Sequence, residues 1–550
     1  MKKIILSFLP LFLVIVCNGQ PKNRDKPAQQ TQMPKLVVGI VVDQMRYDFL
    51  YRYYDRLSDN GFKRLMQGGV NCTNMQYNYL PTNTAPGHAS IYTGCPPAIH
   101  GIAGNDWYDK RLAKMVYCTQ DDSVEGVGMS GQAGKMSPRN MKVTTIGDQI
   151  KLATGMRSKN IGIALKDRGA ILPGGHVADA AYWFESDQGN FGTSTYYMKD
   201  LPTWVTAFNN MKEADKYINA TWNTLYPIAS YVNSDADNVG YEKPLSGASE
   251  PVFPHQYSKG KKNNYDMLRT SPFGNTITAD FAIAALQGEG LGKDDITDYL
   301  TISFSSTDYI GHSFGPNSIE SEDTYYRLDQ DIARVLNALD KEVGKDNYLL
   351  FLTADHGICD VPGHSLKYKM PGGVLPKEVL YAQLNDNLNK AFGVGKYILE
   401  YEDNQFFVNK ELLIANKVDY DDFYRTLEAS LMANDGIAKV IDLSNISNSL
   451  YPSFFLEKIR NGIHPQRSGD VLIILEPGWI VGYTTGASHG SMYEYDSHVP
   501  GIFYGWGLKH SEVPERVQIT DIAATIATLL HLQPPTGSIG NPIPEVIRAR

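Results

Sequence analysis

Six side chains able to hold cations follow short apolar runs or sit in a glycine-rich turn. Asp43 directly follows LVVGIVV at residues 36–42. Asp308 and His312 follow YLTISF at 299–304, within STDYIGH. Asp355 and His356 follow YLLFL at 348–352, within TADHG, and His489 lies in TTGASHG at 484–490. A single aspartate after a strand is commonly a turn or a helix cap. Three carboxylates and three imidazoles recurring in such places point instead to metal binding. Zinc accepts oxygen and nitrogen donors, and a catalytic zinc keeps about three protein ligands and one open position. Six donors divided three and three would serve two metals. Two metals about 3.5–4 Å apart can brace the attacking and leaving oxygens of a phosphoryl transfer. Manganese or cobalt would be accepted by the same donors.

A nucleophile candidate lies in PTNTAPGH at 81–88. Pro86 disfavours helix before it, and ASIY at 89–92 can continue one, so Thr84 falls near a helix start. There the macrodipole and a neighbouring cation favour an alkoxide. Read alone, Thr84 is equally a capping threonine.

These groups need a scaffold that brings strand ends together. Runs at 36–42, 161–165, 299–304, 348–352 and 471–475 are rich in Val, Ile and Leu and read as strands buried on both faces. Helical patterns lie between them, at 319–343 and again at 521–530. The alternation predicts an α/β fold: a doubly wound, mostly parallel central sheet flanked by helices, with ligands at the carboxyl ends of the strands. Residues 180–275 and 360–470 break the alternation and read as inserted capping elements within one catalytic domain at 36–550.

The order of VVDQMR, PTNTAPGH, AGNDW, LKDR, STDYIGHSFGP, TADHG and GASHG resembles the alkaline phosphatase superfamily. It is most similar to its threonine-nucleophile, phosphate-irrepressible (PafA-type) bacterial phosphate monoesterases, from residue 36 to the C-terminus. The resemblance implies two Zn²⁺ per chain, one held by Asp308, His312 and His489 and the other by Asp43, Asp355 and His356. Thr84 would attack phosphorus while bound to the second, giving a phosphothreonine intermediate. Asn105, Lys166 and Arg168 would bind the phosphoryl oxygens. The superfamily often has threonine before the last ligand, where this chain has Ser488. Two cations and an amide suit a dianionic phosphoryl group, and Lys166 and Arg168, two apart after a strand, would point the same way along an extended chain. Lys166 would also stand where relatives carry magnesium, so added Mg²⁺ is expected to change little. The implied activity is hydrolysis of small phosphate monoesters. The alternatives are a phosphodiesterase of the nucleotide pyrophosphatase type on the same metals, and a catalytically silent surface binding protein using the aromatic-rich 180–275 insert. A sulfatase lacks its Cys/Ser-x-Pro-x-Arg motif here, and a manganese phosphoglycerate mutase does not suit an exported chain.

Export is expected from residues 1–20, where Lys2 and Lys3 precede an apolar stretch at 4–16 too short to span a bilayer. Cys17 offers a lipoprotein site, but Val14, Ile15 and Val16 match that signal poorly, so a periplasmic or extracellular protein is the reading. Residues 21–35 read as a flexible leader. The formal charge is −9, and it becomes more negative once Lys2 and Lys3 are removed. With no basic run, the chain has no nucleic-acid footprint. No membrane span is expected in the mature protein, and the sequence leaves the oligomeric state open, a monomer among the options. Cys72, Cys95, Cys118 and Cys359 allow three full pairings and read as structural. His88 is expected to pack under the nucleophile turn, and His498 to stand behind a ligand such as His489.

Overall fold

Ten strands form the central sheet of the computed structural model. From one edge they run Ser511–Val513, Val70–Cys72, Gly501–Gly505, Tyr348–Thr353, Leu36–Val42, Asp298–Phe304, Asn160–Ala164, Ala180–Glu185, Asn190–Ser194 and Gly126–Val127. The structure describes residues 33–257, 265–448, 451–482 and 484–550. The signal segment at 1–20 and the leader up to residue 32 lie outside the described residues. Residues 34–550 pack as one unit. The five strands from Tyr348–Thr353 to Ala180–Glu185 are mutually parallel, and an antiparallel strand, Gly501–Gly505 on one side and Asn190–Ser194 on the other, follows on each flank. All seven residues of Leu36–Val42 are buried, which explains its unbroken apolar run: helices cover both faces.

Register decides what meets at the carboxyl end. Val41 pairs with Thr353 on one side and Ser303 on the other, and Ser303 pairs with Ala164. Two residues further along, just past the strand ends, come Asp43, Asp355 and Lys166; the strands before Asp43 and Asp355 are neighbours, and Asp298–Phe304 lies between those leading to Asp43 and Lys166. Asp308 enters beside them from the helix Ser306–Phe314.

Residues 471–475 are a strand, but not of the central sheet. They lie in a four-stranded antiparallel sheet with Ile398–Glu402, Gln405–Val408 and Ile437–Asp442. An apolar run five residues long carries no information about which sheet it joins. Leu384, Leu388, Phe423 and Leu427 from two helices fill a core beneath this sheet. The stretch from 180 opens with two strands of the central sheet before its irregular part begins. Among the described residues all four cysteines are buried and unpaired.

Candidate active site

Thr84 is the first residue of the helix Thr84–Thr93 and is 1% exposed. Its hydroxyl is flanked by Lys166 Nζ at 3.3 Å and His356 Nε2 at 3.5 Å. The helix start lies hard against the Asp355 strand end. A Cβ on Gly87 would come 2.3 Å from the Asp355 carbonyl oxygen. Gly87→Ala is therefore expected to push Thr84 away from the carboxylates, costing about 1–3 kcal/mol of stability, as overpacking does. Thermal melts and kcat measured together check this, because both should fall. His88 holds the turn from below, with Nδ1 2.9 Å from the Thr84 carbonyl and Nε2 2.9 Å from Ser303 Oγ.

The metal-type donors converge in two groups. Asp308, His312 and His489 form one, and Asp43, Asp308 and His356 the other, the donor atoms of each lying within 4.8 Å of one another. Asp308 thus belongs to both groups, while Asp355 Oδ2 stands 3.7 Å from His356 Nε2 at the edge of the second. Each imidazole places Nδ1 on a backbone carbonyl: His312 on Ala487, His356 on Gly357 and His489 on Thr82, at 2.8–2.9 Å. That fixes the tautomer and turns every Nε2 lone pair toward the carboxylates, as a metal-binding histidine requires. The charge balance asks for cations as well. Three carboxylates face one ammonium, with Lys166 Nζ 2.7 Å from Asp43 Oδ2 and 2.6 Å from Asp308 Oδ2. Asp43 Oδ1 and Asp355 Oδ2 are buried without a hydrogen-bond partner among the described residues. The donor set fits divalent metal binding.

Titration directions agree. Burial, then the Asp355 charge, pushes the Asp43 carboxyl well above its usual range. Asp308 is held well below, because Lys166 and His312 outweigh its burial. Asp355 is also lowered, His356 and His88 overcoming burial. Crowded carboxylates of this kind cannot all ionise cheaply without a counter-cation. Burial, with His356 and His312 beside it, holds His489 well below the ordinary imidazole value, and burial lowers His356. Neutral imidazole is the ligating form. His312 is raised, Asp308 prevailing over burial.

Facing Thr84, Asn105 accepts the Ala85 N–H through Oδ1 at 2.9 Å, which leaves its NH₂ as the donor toward an incoming group. Lys166 and Arg168 are not neighbours along an extended chain. The strand ends at Ala164, Lys166 caps the helix Asp167–Gly174, and Arg168 lies in its first turn. Arg168 Nη1 donates to Tyr117 OH at 3.0 Å, and Tyr117 OH donates to Asp167 at 2.7 Å. The basic pair is positioned by helix geometry and by Tyr117, which the sequence left unmarked.

Gln44 is the other unmarked participant. Its N–H donates to Asp355 Oδ1 at 3.1 Å and its Nε2 to Asp308 Oδ1 at 2.7 Å, tying two donor residues together. Its φ of 65° is unusual for a residue with a side chain, a conformation that collects at functional sites. Gly311 makes the reach feasible, since a Cβ there would lie 1.9 Å from Gln44 Oε1. The signal was its place beside Asp43 in VVDQMR. His498 does not stand behind His489. It binds the Thr73 carbonyl at 3.0 Å and stacks on Tyr47, because its short strand pairs with Met75–Gln76.

Residues 37–498 match the family model for type I phosphodiesterase / nucleotide pyrophosphatase. The alkaline phosphatase PhoV of Synechococcus elongatus is 46% identical over 550 residues, covering 99% of this chain and all of that one. PafA of Elizabethkingia meningoseptica, an alkaline phosphatase, is 46% identical over 517 residues and 94% of each chain. The chain belongs to the alkaline phosphatase superfamily. The crystal structure of wild-type PafA superposes on this member with a TM-score of 0.90 at 45% identity, over 94% of this chain and 99% of that one. A protein of Myroides odoratus named a calcium-transporting ATPase is 48% identical over 525 residues, 94% of this chain and 96% of its own. The phosphatase fold and the cation-hungry strand ends are thus found together in one chain.

Proposed function

We propose that this alkaline phosphatase is an exported hydrolase of broad specificity that releases inorganic phosphate from small phosphate monoesters through a phosphothreonine at Thr84. The observation that carries the reading is the Thr84 hydroxyl at a helix start, flanked by Lys166 Nζ and His356 Nε2 and faced by Asn105. Asp308, His312 and His489 would hold one zinc, and Asp43, Asp355 and His356 the other, with Asp308 lying against both. When bound, the two ions supply positive charge at the attacking and leaving oxygens.

The chain's own residues do the rest. Lys166 Nζ donates to Thr84 Oγ1, which favours the deprotonated oxygen as attacking group. Having lost its proton to solvent, the Thr84 oxygen attacks phosphorus in line, the P–O bond to the leaving alcohol breaks as the alcohol oxygen takes a proton from water, and a water then hydrolyses the phosphothreonine to phosphate and the free Thr84 hydroxyl. Asn105 and Arg168 bind the non-bridging oxygens. A monoester presents a dianion to this set, whereas a diester has one charge fewer and a second substituent to place. The terminal phosphoryl group of ATP carries the same charge as a monoester, so the name of the Myroides relative is compatible with this chemistry. Among the described residues no helix is long and apolar enough to cross a membrane.

The test compares kcat/KM for an aryl phosphate monoester, its matching diester and its matching sulfate, after chelation and again after zinc addition. The expected result is a zinc-restored preference for the monoester by several orders of magnitude. Arg168→Ala should erode it by about 10²–10³, the worth of one electrostatic donor. A diester preference would overturn the assignment of Asn105, Lys166 and Arg168, and inactivity toward all three would overturn the enzyme reading.

A further inference from the structure

A cleft of about 190 Å³ opens beside His489 and Asn83, the neighbour of Thr84. Its far wall belongs to the inserted four-stranded sheet. The strands Ile398–Glu402 and Gln405–Val408 turn through Asp403 and Asn404, with φ of 49° and 61°, the backbone of a tight two-residue hairpin. That turn carries Glu402 and Asp403 into the cleft. Asp403 lies beside the Asn83 side chain, and so close to Gly104 that a Cβ there would meet Asp403 Oδ2 at 2.4 Å. The hairpin tip therefore touches both the nucleophile segment and the Asn105 segment.

On the other side Asp496, 1% exposed, lines the same cleft with Oδ1 buried and unpartnered. Its Oδ2 accepts the Ser491 N–H at 2.8 Å. Glu402, Asp403 and Asp496 thus line the cleft, and Lys377, whose charge acts on Glu402 and Asp403, is the only lysine or arginine lining it among the described residues; Asp496 has Arg46 and Lys458 behind it. Aromatic faces complete the wall. Lys377 Nζ already lies 5.4 Å from the Tyr401 ring centroid, and Trp479 adds a second ring. Burial, with Glu402 close by, pushes the Asp403 carboxyl up to about 8, and burial takes Asp496 to about 7, so each gains from a neighbouring cation.

A wall of three carboxyl groups, each of which a nearby cation would help to ionise, is unexpected next to a site for a phosphoryl dianion unless the rest of the substrate is positive. On the proposed in-line reading the leaving alcohol departs on the side away from Thr84, and His489, a member of the first donor group, lines this cleft. We infer that Glu402, Asp403 and Asp496, with Tyr401 and Trp479, form a subsite that selects phosphate monoesters whose leaving alcohol carries an ammonium group. Carboxylates combined with aromatic faces suit an ammonium. A third metal fits less well, because the only three-donor clusters among the described residues are the two at the catalytic centre.

The inference rests on the monoesterase reading, and three esters of matched length separate the two. They are O-phosphoethanolamine, 2-hydroxyethyl phosphate and phosphoglycolate, whose alcohols are cationic, neutral and anionic. In the wild-type protein kcat/KM should fall in that order, the first exceeding the last by about tenfold or more, on the scale of one desolvated cation–π or charge contact. Glu402→Gln with Asp403→Asn should bring the three within about twofold to threefold of one another, and Glu402→Lys should favour phosphoglycolate. Equal turnover of all three by the wild type, or a parallel loss on all three in the variants, would overturn the subsite and leave the phosphatase reading standing. No turnover of any ester would overturn the phosphatase reading itself.

Discussion

Thr84→Ala is expected to lower kcat by about 10⁴-fold or more, the scale of losing a nucleophile from a preorganised hydrolytic site. Its hydroxyl's side-chain hydrogen-bond partners among the described residues, an ammonium and an imidazole, are committed to the carboxylate cluster and supply no replacement oxygen. Thr84→Ser keeps the oxygen at the helix start and should retain much of the rate. Acid quenching during turnover followed by peptide mass spectrometry should find phosphate on Thr84 in the wild type and on none of the Thr84→Ala peptides. Turnover within about threefold of wild type in Thr84→Ala would end the covalent mechanism, since a water-only route would not need that side chain.

Asp308→Asn should be the most damaging change among the donors. Its Oδ1 lies 3.2 Å from His312 Nε2 and 3.7 Å from His489 Nε2, while its Oδ2 takes Lys166 at 2.6 Å. One substitution therefore weakens both donor groups and frees the buried lysine. Metal analysis of protein purified with zinc should show a loss of more than one ion per chain. Activity should drop by about 10³-fold or more, consistent with losing a directly ligating group instead of a supporting one. Gln44→Ala, which removes only the hydrogen bond onto Asp308, should cost about 10–100-fold, the range seen for supporting groups around metals. If Asp308→Asn kept full metal content and full activity, the two-metal reading of these strand ends would fail.

Much of this was legible before any coordinates. Asp43, Asp355 and Lys166 directly follow or nearly follow apolar runs, and a parallel sheet has to gather such ends on one edge. Asp308 and His312, four apart, stand on one face once their segment is helical. Less legible were residues whose importance depends on what lies across from them. Tyr117 is an ordinary tyrosine until the Lys114–Tyr117 strand brings its hydroxyl to Arg168. Asp496 and Asp403 are ordinary acids until two distant segments face each other across one cleft. The strand at 471–475 was visible as a strand, but its register partners lie 29 to 67 residues away and no local pattern encodes them.

The sequence by itself determined the kind of chemistry, because donor types and their places at strand ends follow from composition and periodicity. It also determined the parallel core, because strands buried on both faces must be apolar throughout. Only the tertiary structure decided how the donors are shared. Asp308 serves both groups because sheet register sets Asp43 and Lys166 at one level while a helix turn aims Asp308 between the histidines. Likewise only the fold decided what the departing alcohol meets. The hairpin carrying Glu402 and Asp403 is far from Thr84 in sequence, and packing of the inserted sheet against the Asn83 and Gly104 segments brings it there.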